Sequence, residues 1–126
     1  MKIAVIIVRI LMGLMYVFAS IVVLFKLVPQ PPPPTEALKL FNEGIAASVY
    51  LMTLIKITEL ICGIAFLVGR FVPLATVVIF PITLNILLVH AFLAPEGLPV
   101  AILLMLGNLF LAYYYRKNYE GLLAAK

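Results

Sequence analysis

Charge, cysteine and histidine are all scarce in this chain of 126 residues, and each scarcity excludes something. Cys62 is the only cysteine, so the chain can form no disulfide within itself, no Cys-x-x-Cys redox pair and no thiolate cluster for zinc or an iron–sulfur centre. Aspartate is absent and His90 is the only histidine, which leaves too few ligands for a conventional structural metal site. Charged residues make up 11% of the chain, where soluble domains carry about 25%. The net charge is +4, but the nine Lys and Arg are dispersed and mostly flank apolar runs. That is the pattern of membrane orientation and not of a phosphate-binding face, so nucleic acid is not an expected partner.

Apolar residues fill the space. They make up 66% of the sequence, and the mean hydropathy is +1.25. A soluble domain of about 150 residues still exposes roughly 30% of what its unfolded chain shows, so lipid must be the solvent for most of this one. Spans of about 20 residues allow four passes here. The expected fold is all-α: a transmembrane four-helix bundle in one domain, 1–126, with spans at 3–27, 48–69, 71–93 and 98–115. A short interfacial helix is expected between the first and second spans, in an outer Pro-rich and amphipathic segment, 29–47.

The first run is far longer than the 7–15 residues of a signal-peptide core, and Ala19-Ser20 offers no Ala-x-Ala cleavage site. A retained helix is expected. The prolines at 29 and 31–34 cannot continue it and predict a short polyproline II spacer. Thr35 is then a suitable N-cap, and Leu38, Phe41 and Ile45 share a face opposite Glu36, Lys39 and Glu43, as in a helix lying in the interface plane. Gly69-Arg70 and Ala94-Pro95-Glu96-Gly97 are short turns, which make the last three spans antiparallel neighbours. Ala65 and Gly69 form a small-xxx-small pair, and Pro81 should kink the third span. With the N-terminus cytoplasmic, the inner side holds Lys2, Arg9, Arg70, Arg116, Lys117 and Lys126, against Lys26 and Lys39 outside. This bias predicts that both termini are cytoplasmic, with Tyr113–Tyr115 as an inner aromatic belt.

Six polar residues fall inside the spans: Arg9, Lys56, Glu59, Asn85, His90 and Asn108. A charge at a helix centre costs about 2.5–3.5 kcal/mol on insertion scales, so these side chains should face inward and find partners. From the helical rise, Glu59, Lys56, Asn85 and Asn108 lie about 11–21 Å from the inner edge, Arg9 about 9 Å and His90 about 28 Å. Lys56 and Glu59 share a face at i, i+3. The expectation is a buried network in which Glu59 is shared by Arg9 and Lys56, with Asn85 and Asn108 completing the hydrogen bonds. Two readings stay open: a ligand-binding cavity, in keeping with the functional bias of intramembrane ionisable residues, or polar packing between helices. His90 is either a ligand or proton acceptor at the outer mouth or an interfacial residue at a helix end.

The chain resembles the DoxX family of small four-helix membrane proteins. The resemblance rests on Arg9-Ile10-Leu11-Met12-Gly13-Leu14, Phe41-Asn42-Glu43-Gly44-Ile45 and Lys56-Ile57-Thr58-Glu59-Leu60-Ile61-Cys62-Gly63. Gly69-Arg70-Phe71-Val72-Pro73-Leu74-Ala75 and Pro81-Ile82-Thr83-Leu84-Asn85 with His90 complete it. The sequence departs from the usual family pattern at Ala19-Ser20 and at the tetraproline. The resemblance implies a four-helix bundle in a bacterial inner membrane. It also implies an association with redox chemistry, because a related branch, DoxD, is the membrane part of a thiosulfate:quinone oxidoreductase. Arg9, Glu59 and Asn85 match the family's polar elements.

Three functions are compatible with these residues. The first is a redox-associated accessory subunit whose polar cavity binds a quinone-like or other small ligand and which docks a soluble oxidoreductase or another membrane subunit. No catalytic residues are identified and no electron carrier can be built from these side chains, so redox catalysis would need a partner's cofactor. The second is a small transporter subunit using the Lys56–Glu59 pair, which would require a homo-oligomer. The third is a structural assembly subunit without a ligand.

Overall fold

The computed structural model describes residues 2–27 and 35–122. The polyproline spacer expected around 29–34 and the charge at Lys126 lie outside them. Among the described residues there is no strand. Five α-helices follow one another: α1 (Lys2–Leu24), α2 (Glu36–Ala47), α3 (Leu51–Val68), α4 (Val72–Phe92) and α5 (Leu98–Tyr114), with 3-10 turns at Pro95–Gly97 and Arg116–Tyr119. The helices α1, α3 and α4, and α5 with the turn before it, are long and apolar enough to cross a membrane.

Two of the expected span edges move by three residues, each for a local reason, and the others by one at most. The first helix stops at Leu24 instead of running to 27, because Lys26 turns left-handed at φ 52°. Its N–H donates to the Val23 carbonyl at 3.3 Å and that of Leu27 to the Val22 carbonyl at 3.1 Å, which is the Schellman pattern of a closed helix end. The second span begins at Leu51 instead of 48, because Ser48 belongs to the turn between α2 and α3. Its hydroxyl donates to the Ile45 carbonyl at 2.6 Å and accepts from the Leu51 N–H at 3.0 Å, so one side chain closes α2 and opens α3.

Thr35 is the N-cap of α2. Its hydroxyl accepts from the Leu38 N–H at 3.1 Å and donates to the Leu93 carbonyl at 2.5 Å, tying the start of α2 to the end of α4. Leu38, Phe41 and Ile45 form the less exposed stripe of α2, while Glu36, Lys39 and Glu43 are exposed. No residue of α2 is fully buried, as expected of a helix lying on the rim of the bundle.

The four spans pack as a ring in the order α1, α3, α4, α5, with α1 on α3 the most extensive pairing and α5 on α1 the slightest. The closest crossing is glycine on glycine. A Cβ on Gly13 would stand 2.9 Å from the Gly63 carbonyl oxygen, and one on Gly63 would stand 3.1 Å from that of Gly13. Of the small pair Ala65 and Gly69, Ala65 packs against the core and Gly69 is closely met by the Arg9 side chain of α1. Gly69 ends α3 in the left-handed region at φ 81°, donating its N–H to Ala65. The interior holds Tyr16, Phe66, Ile79 and Leu111, while Phe18, Ile61, Leu103 and many other large apolar side chains face outward. That outward surface is what a lipid solvent requires.

Candidate functional site

The Gly13–Gly63 crossing sets the depth of everything on α1 and α3. The helices run antiparallel, since Gly13 abuts Leu67 and Gly63 abuts Val17. Each step down α1 therefore moves its partner one step up α3, which puts Tyr16 level with Leu60 and Arg9 level with Leu67. On α3 the buried stripe is Glu59, Cys62, Gly63 and Phe66, at helical spacing. Glu59 sits about 12 Å from one end of α3 and about 13.5 Å from the other, so its carboxylate is held near the middle of the span.

Lys56 lies one turn from Glu59, towards the end of the bundle where α2 sits. Its Nζ is 3.0 Å from Glu59 Oε2, with the glutamate side chain 3% exposed and the lysine side chain 17% exposed. The contact is an ion pair, and Glu59 Oε2 is buried with no other partner among the described residues. Both residues belong to α3, so this pair joins no two helices.

A second polar cluster does join helices. Tyr16 on α1, Thr83 and Thr76 on α4 and Asn108 on α5 are all buried. The Tyr16 hydroxyl is 2.6 Å from Thr83 Oγ1, and Thr83 Oγ1 is 3.1 Å from Asn108 Oδ1. Thr83 has one hydroxyl proton and the amide oxygen can only accept, so Thr83 donates to Asn108, sharing that proton with the Ile79 carbonyl at 3.1 Å. Tyr16 is then the donor to Thr83. Asn108 Nδ2 donates onward to the Thr76 carbonyl at 3.3 Å. Thr76 donates to the Val72 carbonyl and Ser20 to that of Tyr16, each four residues back along its own helix.

The six expected site residues thus divide. Lys56 and Glu59 meet, and Asn108 joins the interhelical cluster instead of Glu59. Arg9 is separated from Glu59 by the antiparallel register: its guanidinium packs against Gly69, ten residues or about 15 Å along α3 from the carboxylate. Asn85 is exposed. The buried stripe of α4 is Val72, Ala75, Thr76, Ile79 and Thr83, and a position two residues past Thr83 is rotated about 200° away from it. His90, seven residues past Thr83, returns to that face half-buried. Its Nδ1–H donates to the Ile86 carbonyl at 2.8 Å, and its ring packs on Gly97.

Among the grooves on the surface are two that neither Lys56 nor Glu59 lines. One, of about 540 Å³ between α1 and α5, is walled by apolar side chains such as Val8, Met12, Leu104 and Phe110. The other, of about 440 Å³ between α4 and α5, includes Thr76, Pro81, Asn108 and Tyr119. There the α4 helix continues through Pro81, and the Tyr119 hydroxyl donates to the Pro73 carbonyl at 2.7 Å. Burial raises the Tyr119 pKa above its ordinary 10.0.

Sequence reasoning missed Tyr16, Ser20, Thr76 and Thr83 because uncharged hydroxyls cost little in lipid and carry no alarm. The available signal was helical spacing: Tyr16 and Ser20 are one turn apart on α1, and Thr76 and Thr83 two turns apart on α4. Among the described residues no group of His, Cys and Glu side chains is placed to hold a metal ion.

An all-helical chain with four membrane-length apolar helices, a rim helix and polar side chains at mid-depth is a multi-pass integral membrane protein of the helix-bundle class. The DoxX family model matches residues 4–91, from α1 almost to the end of α4, and the chain belongs to the DoxX family. No curated protein and no solved structure matches it.

Proposed function

We propose that this DoxX protein is the membrane component of a redox assembly in a bacterial inner membrane, with Lys56 and Glu59 as its working residues. The observation that carries this reading is an ion pair confined to one helix. Polar bonds between spans are made by Tyr16, Thr83, Asn108 and Thr76, whereas the Lys56–Glu59 ion pair lies within α3 and bridges no two helices. A carboxylate kept near mid-membrane without a structural task of that kind is a candidate for ligand chemistry. A quinone-like head group suits it: a quinol hydroxyl donates to Glu59 Oε2, and a quinone carbonyl accepts from the Lys56 ammonium, the more exposed member of the pair. A soluble oxidoreductase or another membrane subunit supplies the electron carrier that this chain lacks. The charge bias orients both termini towards the cytoplasm.

The test is binding of a short-chain quinone and its quinol to the purified protein in mild detergent, followed by native mass spectrometry. One equivalent should bind. Glu59→Gln should weaken quinol binding about tenfold, as expected for loss of a charged hydrogen bond, while the protein stays inserted. Tyr16→Phe should leave it unchanged. Equal binding by Glu59→Gln would remove the pair from the site. A reporter at the C-terminus active only outside the cytoplasm would overturn the orientation.

A further inference from the structure

Arg9 stands apart from both polar clusters. Its Nε is buried with no acceptor, and among the described residues its guanidinium forms no ion pair or hydrogen bond within the protein. The glutamates explain why. Glu36, Glu43 and Glu96 lie at the far end of the bundle with α2 and the α4–α5 turn, Glu59 is held by Lys56, and Glu120 makes no ion pair among the described residues.

Nor is this a side chain loose in solvent. The guanidinium is pressed against Gly69, whose missing Cβ leaves the space that the guanidinium occupies. Gly69 is also left-handed at φ 81°, so a residue with a side chain is disfavoured there twice over. The same turn carries Arg70, exposed and also without an anionic partner among the described residues. Two arginines therefore serve the α3–α4 turn: Arg70 belongs to it, and Arg9, whose backbone lies about 10 Å from the start of α1, sends its guanidinium to Gly69. The head-group layers add about 5–7 Å on each side of the hydrocarbon core, and an arginine side chain reaches several ångströms towards them. A guanidinium presents a planar fork that fits phosphate oxygens two at a time.

We infer that Arg9, seated on Gly69 and assisted by Arg70, is a binding site for the phosphodiester of an anionic phospholipid. The lipid supplies the counter-charge that the protein withholds, and its acyl chains follow the outer wall of the bundle. Such basic sites between spans are a known mode of head-group recognition.

The experiment uses the whole protein, delipidated in detergent and titrated with phosphatidylglycerol, with diacylglycerol or with inorganic phosphate, and read by native mass spectrometry. The unmodified protein should retain one phosphatidylglycerol and no diacylglycerol. Arg9→Gln should lower retention about tenfold or more, the loss expected for charge-assisted hydrogen bonds. Arg9→Lys should fall between, keeping the charge but losing the fork. Gly69→Ala, which displaces the guanidinium without removing it, should also weaken retention, whereas Arg116→Gln should not. Displacement of the lipid by millimolar inorganic phosphate would support the phosphate chemistry but assign the site to a free anion. Equal retention of diacylglycerol, or undiminished retention by both Arg9→Gln and Gly69→Ala, would overturn the inference. If Arg9→Gln fails to fold, the diacylglycerol comparison and Gly69→Ala still decide it.

Discussion

At the scale of single residues, the two polar clusters respond differently to substitution because they solve different problems. Lys56→Met strips a carboxylate that is 3% exposed of its one charge partner among the described residues. Removing one member of a buried pair costs on the order of 3–5 kcal/mol, so this variant should lose much of its resistance to unfolding in detergent. Adding Glu59→Gln should restore most of the loss, as a double-mutant cycle followed by thermal unfolding would show. Tyr16→Phe removes one interhelical bond, worth about 0.6 kcal/mol in lipid. Asn108→Leu removes both the Thr83 and Thr76 bonds and should cost two to three times as much. Charge is why the first cluster was legible in the sequence, since Lys56 and Glu59 stand out in an apolar helix. Thr83 looks like any other small residue there until its neighbours across the ring are known.

At the scale of elements, glycine decides how closely helices approach. Gly63→Ala would place a methyl group 2.8 Å from Val17 Cγ2 and 3.1 Å from the Gly13 carbonyl oxygen, forcing α1 and α3 apart. Overpacking of this kind costs typically 1–3 kcal/mol, and a cysteine pair placed across the crossing should then cross-link more slowly. The turn after α2 behaves in the opposite way. Val49 sits left-handed at φ 74°, 87% exposed, a conformation that costs a side-chain-bearing residue about 1–2 kcal/mol. Val49→Gly should raise the melting temperature, partly offset by the greater freedom of glycine in the unfolded chain. The existence of four spans and of the α2 rim helix could be read from apolar run length and from the Thr35 cap. The ends at Leu24 and Leu51 could not, because they depend on the backbone hydrogen bonds of Lys26 and Leu27 and on the Ser48 hydroxyl and not on hydrophobicity. The separation of Arg9 from Glu59 was hidden for a related reason: depth along each helix was readable, but the register between helices hung on which glycines meet.

At the scale of the whole molecule, the ring of four spans shields one natural probe. Cys62 is 3% exposed, on the same inward stripe as Glu59. A maleimide or a thiol-reactive dye should therefore fail to label it in the folded protein and should label it only as the bundle opens. Labelling rates across a denaturant series should match unfolding followed by circular dichroism; fast labelling under native conditions would mean that α3 turns or leaves the ring.

The glycine-to-glycine seam also bears on biosynthesis. Neighbours in the ring are neighbours in sequence for α3, α4 and α5, but the principal mate of α1 is α3, with α2 between them. Gly13 and Gly63 are fifty residues apart, so at about 5–20 residues per second a ribosome needs roughly 3–10 seconds to deliver the second after the first. Throughout that interval α1 must wait in the bilayer, with its glycine face uncovered and Tyr16 without its acceptor. A nascent chain arrested before α3 emerges would carry α1 in the form most open to capture by another helix or by membrane quality control.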